Sequence, residues 1–152
     1  MPSIRFQLQT ELSPEAVLAA LTDFSDRRAQ VWPNIDAAHF KIHGVGAGWA
    51  DVTEGNSLAG GIWERNRYDW GTTPGTIRIT TIESNTWKPG SGWNYQLMPT
   101  PTGGTSIDVS VLRLGRGIKG RILGITLAVF GARILRTDMQ KVLSRIGPPT
   151  TA

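Results

Sequence analysis

The segment Arg116–Ile146, RGIKGRILGITLAVFGARILRTDMQKVLSRI, decides how the rest of the chain must fold. It predicts one helix of about thirty residues, roughly 45 Å long at 1.5 Å rise per residue. Its centre, Ile122 to Ala132, holds no charged residue; Arg116, Lys119 and Arg121 precede it, and Arg133, Arg136, Asp138 and Lys141 follow. That run is shorter than the roughly twenty apolar residues that cross a bilayer. A helix apolar all round is expected to be covered on several sides, so the segment reads as a core helix gripped by the rest of the protein. Gly117, Gly120, Gly124, Ala128 and Gly131 share one stripe, which Leu135 and Val142 continue. An interior Gly costs a helix about 1 kcal/mol relative to Ala. Such a stripe therefore serves either close packing against a sheet or one wall of a cavity.

Before this helix the pattern is that of strands. Ile107, Val109 and Val111 alternate with Asp108 and Ser110, and Trp93, Tyr95 and Leu97 alternate with Asn94, Gln96 and Met98. Ile77 and Ile79 fall on one side of TIRITTI, and AHFKIHGV is expected to turn Phe40 and Ile42 inward. Gly44, Gly46 and Gly48, then Gly60-Gly61, Thr72 to Gly75 with Pro74 in it, Pro89-Gly90 and Pro99 to Gly104 supply the breaks. Six strands joined in this way read as an antiparallel meander. At the N-terminus Ile4, Phe6 and Leu8 mark a further strand. Ser13-Pro14-Glu15 then opens a helix with an N-cap, a first-position proline and a first-turn acid. A second short helix, near Asp26 to Val31, stops at Trp32-Pro33, because the residue before proline is pushed out of the α region. Strands with helices segregated to the ends give an α+β fold: a curved seven-stranded antiparallel sheet around a long C-terminal helix, with two short helices after strand 1.

The totals fit one domain, residues 1–147, with 148–152 as a disordered tail. The 152 residues contain no cysteine, which excludes disulfide and thiolate chemistry. No signal peptide or lipidation motif is visible, and a cytoplasmic protein is expected. Net charge is +4, but residues 1–112 carry eight Lys/Arg against eleven Asp/Glu, and residues 113–152 carry eight against one. The basic terminal helix suits a solvated rim, and Arg116, Lys119 and Arg121 suit a weak contact with a membrane surface. Nothing resembles a nucleic-acid module with interleaved aromatics. The chain is compatible with a monomer or a homodimer.

Most catalytic and metal motifs fail on spacing. His39 and His43 lie on an alternating segment, where four residues span roughly 13 Å, too far for one ion; no metal site is expected. Gly115-Arg116-Gly117-Ile118-Lys119-Gly120 matches G-x-G-x-x-G, but no strand follows the helix, so the βαβ unit of a dinucleotide site is missing. No cofactor is expected.

The strand Ile62 to Trp70 is the most informative. One face carries Trp63, Arg65, Arg67 and Asp69, and the other Glu64, Asn66, Tyr68 and Trp70. Neither is apolar, so a buried face here must hold polar groups that need partners or a ligand. The second set is expected inward for its larger aromatic area. Trp49, Asp51, Tyr95 and Arg113 join it from neighbouring strands, with Arg113 a natural counter-ion for Glu64 or Asp51, or for an acidic ligand. A pocket of Trp, Tyr and a few polar groups is the usual make-up of a small-molecule site.

Trp63-Glu64-Arg65 with Tyr68-Asp69-Trp70, then Pro89-Gly90-Ser91-Gly92-Trp93, then Lys119-Gly120-Arg121, together with the element order, make the chain similar to the START-related helix-grip superfamily (SRPBCC). The branch it resembles is that of bacterial polyketide cyclase/dehydrase and lipid-transport proteins. The resemblance implies a deep cavity between sheet and C-terminal helix that holds a mostly apolar ligand. The expected ligand contacts are Trp49, Asp51, Glu64, Tyr68, Trp70, Trp93, Tyr95, Arg113 and, from the helix, Phe130. The expected function is binding of a lipid-, quinone- or polyketide-like molecule as carrier or sensor. The alternative is a cyclase/aromatase-like enzyme with Glu64 or Asp51 and Tyr68 as its acid–base groups.

Overall fold

Ile4 and Leu8 are buried with Phe6 packed beside them, and Ser3–Thr10 forms β1. The computed structural model describes residues 3–146; the tail expected at 148–152 lies outside the described residues. Ser13 caps α1 (Pro14–Leu21) through a 3.2 Å bond from the Ala16 N–H to its Oγ. A four-residue α2 (Arg28–Val31) ends at Trp32, ahead of Pro33. Ala37–His39 is a 3-10 turn where strand was expected, which delays β2 to Lys41–Gly46. Then come β3 (Trp49–Asn56), β4 (Ile62–Asp69), β5 (Thr76–Ser84), β6 (Gly92–Pro99), β7 (Thr105–Leu112) and α3 (Gly117–Ile146).

The strands form one curved antiparallel sheet in the order β1-β7-β6-β5-β4-β3-β2. Its concave face is built from alternate positions: Ala50 and Val52, Asn66 and Tyr68, Ile77 and Ile79, Tyr95 and Leu97, Ile107, Val109 and Val111. Val17, Leu21 and Phe24 from the α1 region and Met139 and Leu143 from α3 close the core over it. One sequence expectation of parity holds and one fails. Ile42 is paired with Val52 and so shares the inner face, with Phe40 packed against the core beside it, but Ile42 is 45% exposed because β2 is the edge of the sheet. On β3, Ala50, Val52 and Glu54 take the inner face, which turns Trp49 and Asp51 to the outer one.

α3 has the expected bounds but not the expected surroundings. Gly120, Gly124, Gly131, Met139, Val142 and Leu143 are buried along one side. Ile118, Ile122, Ile125, Val129 and Phe130 are exposed on the others. The helix is covered on one side, not several. Glycines allow that side to lie so close to the sheet and the Thr86 loop that the remaining apolar residues stay outside. Arg145 near its C-terminus donates to the Val31 carbonyl oxygen at 3.0 Å and ties α3 to α2.

Candidate functional site

β4 brings its inner-face polar groups into the core as its alternation predicts. Asn66 and Tyr68 are buried, and Glu64 borders the same space. The β4–β5 register slips between Arg65 and Asn66, so Arg65 pairs with Glu83 and Asn66 with Thr81. A bulge of this kind re-aims side chains, and bulges are frequent beside functional sites. The Asn66 Oδ1 is buried with no hydrogen-bond partner among the described residues. That is costly in a core.

The neighbouring carboxylates are satisfied. Glu64 accepts two bonds from Arg113, Nη1 at 2.7 Å and Nη2 at 3.1 Å, and a third from Thr81 Oγ1 at 3.2 Å. The Arg113 guanidinium lies 5.1 Å from the Trp87 ring centroid and 5.2 Å from that of Trp93. Of its two possible counter-ions Arg113 therefore takes Glu64. Asp51 pairs instead with Arg65 on the outer face, at 2.9 and 2.7 Å. That bond, partly opposed by desolvation, holds the Asp51 carboxyl below its ordinary range.

A second charged group lies deeper. Arg28 from α2 is 2% exposed and donates from Nε to Glu54 at 2.7 Å and from Nη2 to the Tyr68 hydroxyl at 2.8 Å. Its Nη1 reaches the Leu21 and Asp23 carbonyl oxygens at 3.3 and 3.0 Å. The Tyr68 hydroxyl donates to Glu54, whose oxygens lie at 2.9 and 2.8 Å. Phe24, Trp32 and Tyr68 present their rings to the guanidinium. Burial opposes the Arg28 charge, but Glu54 and Tyr68 more than offset it and its pKa is raised. Burial pushes the Tyr68 hydroxyl well above its ordinary value, with Arg28 opposing and Glu54 adding. Tyr95 is raised chiefly by burial as well. Neither tyrosine is poised to give up a proton near neutral pH.

Between the two groups lies a cleft of about 60 Å³. Its walls include Trp32, Ile35, Trp93 and Tyr95, with Leu135, Asp138 and Met139 from α3. Of the residues expected from the sequence, Glu64, Tyr68, Trp93 and Tyr95 border it, and Arg113 stands behind Glu64. Trp49 and Asp51 do not, and Trp49 stacks with Arg67 on the opposite face, 4.2 Å from ring centroid to guanidinium. Trp70 packs on Phe24 at 6.1 Å without reaching the space. Phe130 is on the outer side of α3, 60% exposed. The expected deep cavity is also corrected. Sites for drug-sized ligands run to roughly 300–1,000 Å³, and this one holds only a few heavy atoms as it stands.

Arg28, Glu54, Trp32 and Asp138 were missed from the sequence. Phe24 and Trp32 lie four residues to either side of Arg28, but α2 spans only Arg28–Val31, so no helical face joins the three and no periodic signal marks the arginine. Glu54 shares the parity of Ala50 and Val52, which identifies the inner face better than the aromatic area of Trp49 does. Asp138 makes no ion pair among the described residues. Burial raises its carboxyl above the ordinary 3.8, and Lys141 opposes the rise. The folded state thus holds this proton more tightly than the unfolded chain does. Stability falls as pH climbs from 3.8 through the raised folded value, and the loss is complete above it. Asp138→Asn is expected to stabilise the protein at pH 7 by a few tenths of a kcal/mol. The gain should vanish near about pH 3, where the Asp138 carboxyl is largely protonated in the folded and unfolded states alike. Urea titrations of parent and variant at the two pH values measure the difference.

No protein-family model matches the chain, and no curated protein matches it in sequence. Solved structures match it along nearly its whole length. The Zhui aromatase/cyclase of a Streptomyces species superposes with a TM-score of 0.78 at 13% identity, over 95% of this chain and 92% of that one. A START superfamily protein from Mycobacterium smegmatis gives 0.74 at 11%, over 95% and 99%. A STAR-related lipid transfer protein fragment from Xanthomonas axonopodis gives 0.74 at 12%, over 95% and 85%. At such identities the likeness is one of fold: the chain has the helix-grip architecture of START-related proteins and polyketide aromatase/cyclases.

Proposed function

We propose that the protein binds a hydrophobic or amphipathic small molecule between sheet and C-terminal helix, as a carrier or sensor, with a hydrogen-bonding end seated at Asn66. The observation that carries this reading is the Asn66 amide, buried and unpartnered at Oδ1 while both carboxylates beside it are occupied by arginines. A ligand hydroxyl would give that oxygen its missing donor, and the aromatic and aliphatic walls suit an apolar body. The cleft of about 60 Å³ admits the polar end; the body displaces Leu135 and Met139, of which Met139 is unbranched and flexible and repacks readily. The fold likeness to a lipid transfer protein and an aromatase/cyclase supports a small apolar or polyketide-like ligand of this kind.

The test compares 1-naphthol with 1-methylnaphthalene, which has the same shape without the hydroxyl. Naphthol is expected to bind about fivefold to tenfold tighter, the worth of one hydrogen bond of about 1 kcal/mol. Asn66→Leu should abolish the preference while leaving stability equal or higher, since it removes an orphaned buried amide. Binding of neither probe, or a preference untouched by Asn66→Leu, would refute the reading.

A second reading, acid–base catalysis of the cyclase/aromatase kind, draws on Asp138, a cleft carboxyl with a raised pKa and no ion-pair partner among the described residues. The groups first expected to act fit it less well. Glu64 and Tyr68 are tied to Arg113, Glu54 and Arg28, and Asp51 is on the other side of the sheet.

A further inference from the structure

The middle of α3 presents an apolar surface that no described residue covers. Ile118, Ile122, Ile125 and Val129 recur at intervals of four, three and four residues and so form one stripe along the helix. They are 80%, 59%, 67% and 68% exposed. Phe130 and Ile134 are exposed as well, but at about 100° per residue they lie more than about 100° round the helix from the centre of the stripe. Arg121, Arg133 and Arg136 are exposed around it, and the chain has no Asp or Glu between Arg113 and Thr137. Arg116 and Lys119 are partly engaged, donating to the Ser84 and Gly61 carbonyl oxygens at 3.0 and 2.7 Å. Aliphatic residues in a line with basic margins are the build of a helix that lies in a membrane interface. No described helix is long and apolar enough to cross a membrane.

We propose that this face of α3 docks on an anionic lipid surface, its aliphatic side chains in the acyl boundary and Arg121, Arg133 and Arg136 on the phosphates. The charges favour lipid over a second copy of the chain. Two copies packed antiparallel about the centre of the stripe set Ile118 against Val129 and Ile122 against Ile125, and offer Arg121 and Arg133 no acid, since none lies between Arg113 and Thr137. Packed parallel, they bring each arginine against itself. Neither arrangement neutralises the arginines, whereas anionic headgroups do. The cleft opens on the other side of the helix, at Leu135, Asp138 and Met139, so docking leaves it unobstructed. The inference does not depend on any ligand in the cleft.

Co-sedimentation with phosphatidylcholine vesicles, with and without phosphatidylglycerol, tests it. Binding is expected to require the anionic lipid and to weaken with salt. Arg121→Gln/Arg133→Gln/Arg136→Gln should weaken it by on the order of a hundredfold, at about one factor of five per arginine. Ile122→Ser/Ile125→Ser/Val129→Ser should weaken it comparably. Because all six side chains are exposed, thermal unfolding should stay unchanged; if the serine variant fails to fold, the glutamine variant carries the test. Absence of binding to either vesicle, equal binding to both, or full binding by the glutamine variant would overturn the proposal. So would a sedimenting dimer that the serine variant dissociates, which would assign the face to a second copy.

Discussion

Glu54→Ala is expected to lower the unfolding free energy by about 3–5 kcal/mol, the usual cost of breaking a buried ion pair from one side. In a domain of this size that corresponds to a fall in Tm of roughly 6–20 °C. The reason is the partner left behind. Arg28 is 2% exposed and cannot shed its proton. Without Glu54 its charge keeps two backbone carbonyls, a tyrosine hydroxyl and three aromatic faces, none of them an anion. The Tyr68 hydroxyl loses its acceptor at the same time. Removing the whole group should be much milder. Arg28→Met/Glu54→Leu/Tyr68→Phe leaves no buried charge or orphaned hydroxyl and is expected to recover most of the loss, since apolar replacement of a buried ion network is often neutral or stabilising. Urea denaturation followed by tryptophan fluorescence measures all three proteins. A loss below about 1 kcal/mol for the single variant would mean that water reaches Arg28 and that the group is not sealed as described.

That sealed group also shows where the sequence was readable and where it was not. Strand order and sheet type follow from period-two alternation and turn residues, because a strand with one buried face writes its parity into neighbouring positions. Ile107, Val109 and Val111 do so plainly. The inner face of β4 was legible for a related reason: neither of its faces was apolar, and only Glu64, Asn66, Tyr68 and Trp70 offered enough ring area to fill a core. The same weighting failed on β3. Trp49 has the larger area, but Ala50 and Val52 have no other role than to be covered, and the register with β4 puts Ala50 beside Tyr68. The Arg28–Glu54 pair joins residues 26 apart in the chain, and no local pattern records such a meeting. The exposed face of α3 could not be read either. An uncharged helix segment looks alike whether a sheet or a lipid surface is its neighbour, and only the positions of the surrounding elements distinguish the two.

The glycine stripe of α3 allowed two interpretations, close packing or a cavity wall, and substitution separates them. Gly120→Ala is expected to destabilise by about 2–3 kcal/mol, although alanine favours a helix interior by about 1 kcal/mol. A Cβ at this position overlaps the Thr86 carbonyl oxygen and meets Gly115 backbone atoms at 3.1 and 3.2 Å. Main-chain atoms cannot rotate away, so the helix start itself must shift. Thr86 is held there by its own bonds, accepting the Arg116 N–H at 2.8 Å, while Trp87 and Gly115 form an isolated antiparallel bridge. Gly131→Ala should behave differently. Its Cβ meets the mobile end of Ile4 at 2.7 Å and Leu127 Cβ at 3.3 Å, and a rotamer change in Ile4 relieves the first contact. There the gain in helix propensity and the strain are of similar size, and a change within about 1 kcal/mol is expected. Thermal unfolding of both variants provides the comparison; equal behaviour would deny the close approach at Gly120. Shifting the helix start also displaces Arg113, four residues before Gly117, and with it the counter-ion of Glu64. Gly120→Ala should therefore weaken 1-naphthol binding beyond what the stability loss explains, and Gly131→Ala should leave it intact. Gly120 thus sets how near the helix start lies to the Thr86 loop, while the wall that α3 gives to the cleft comes from Leu135, Asp138 and Met139.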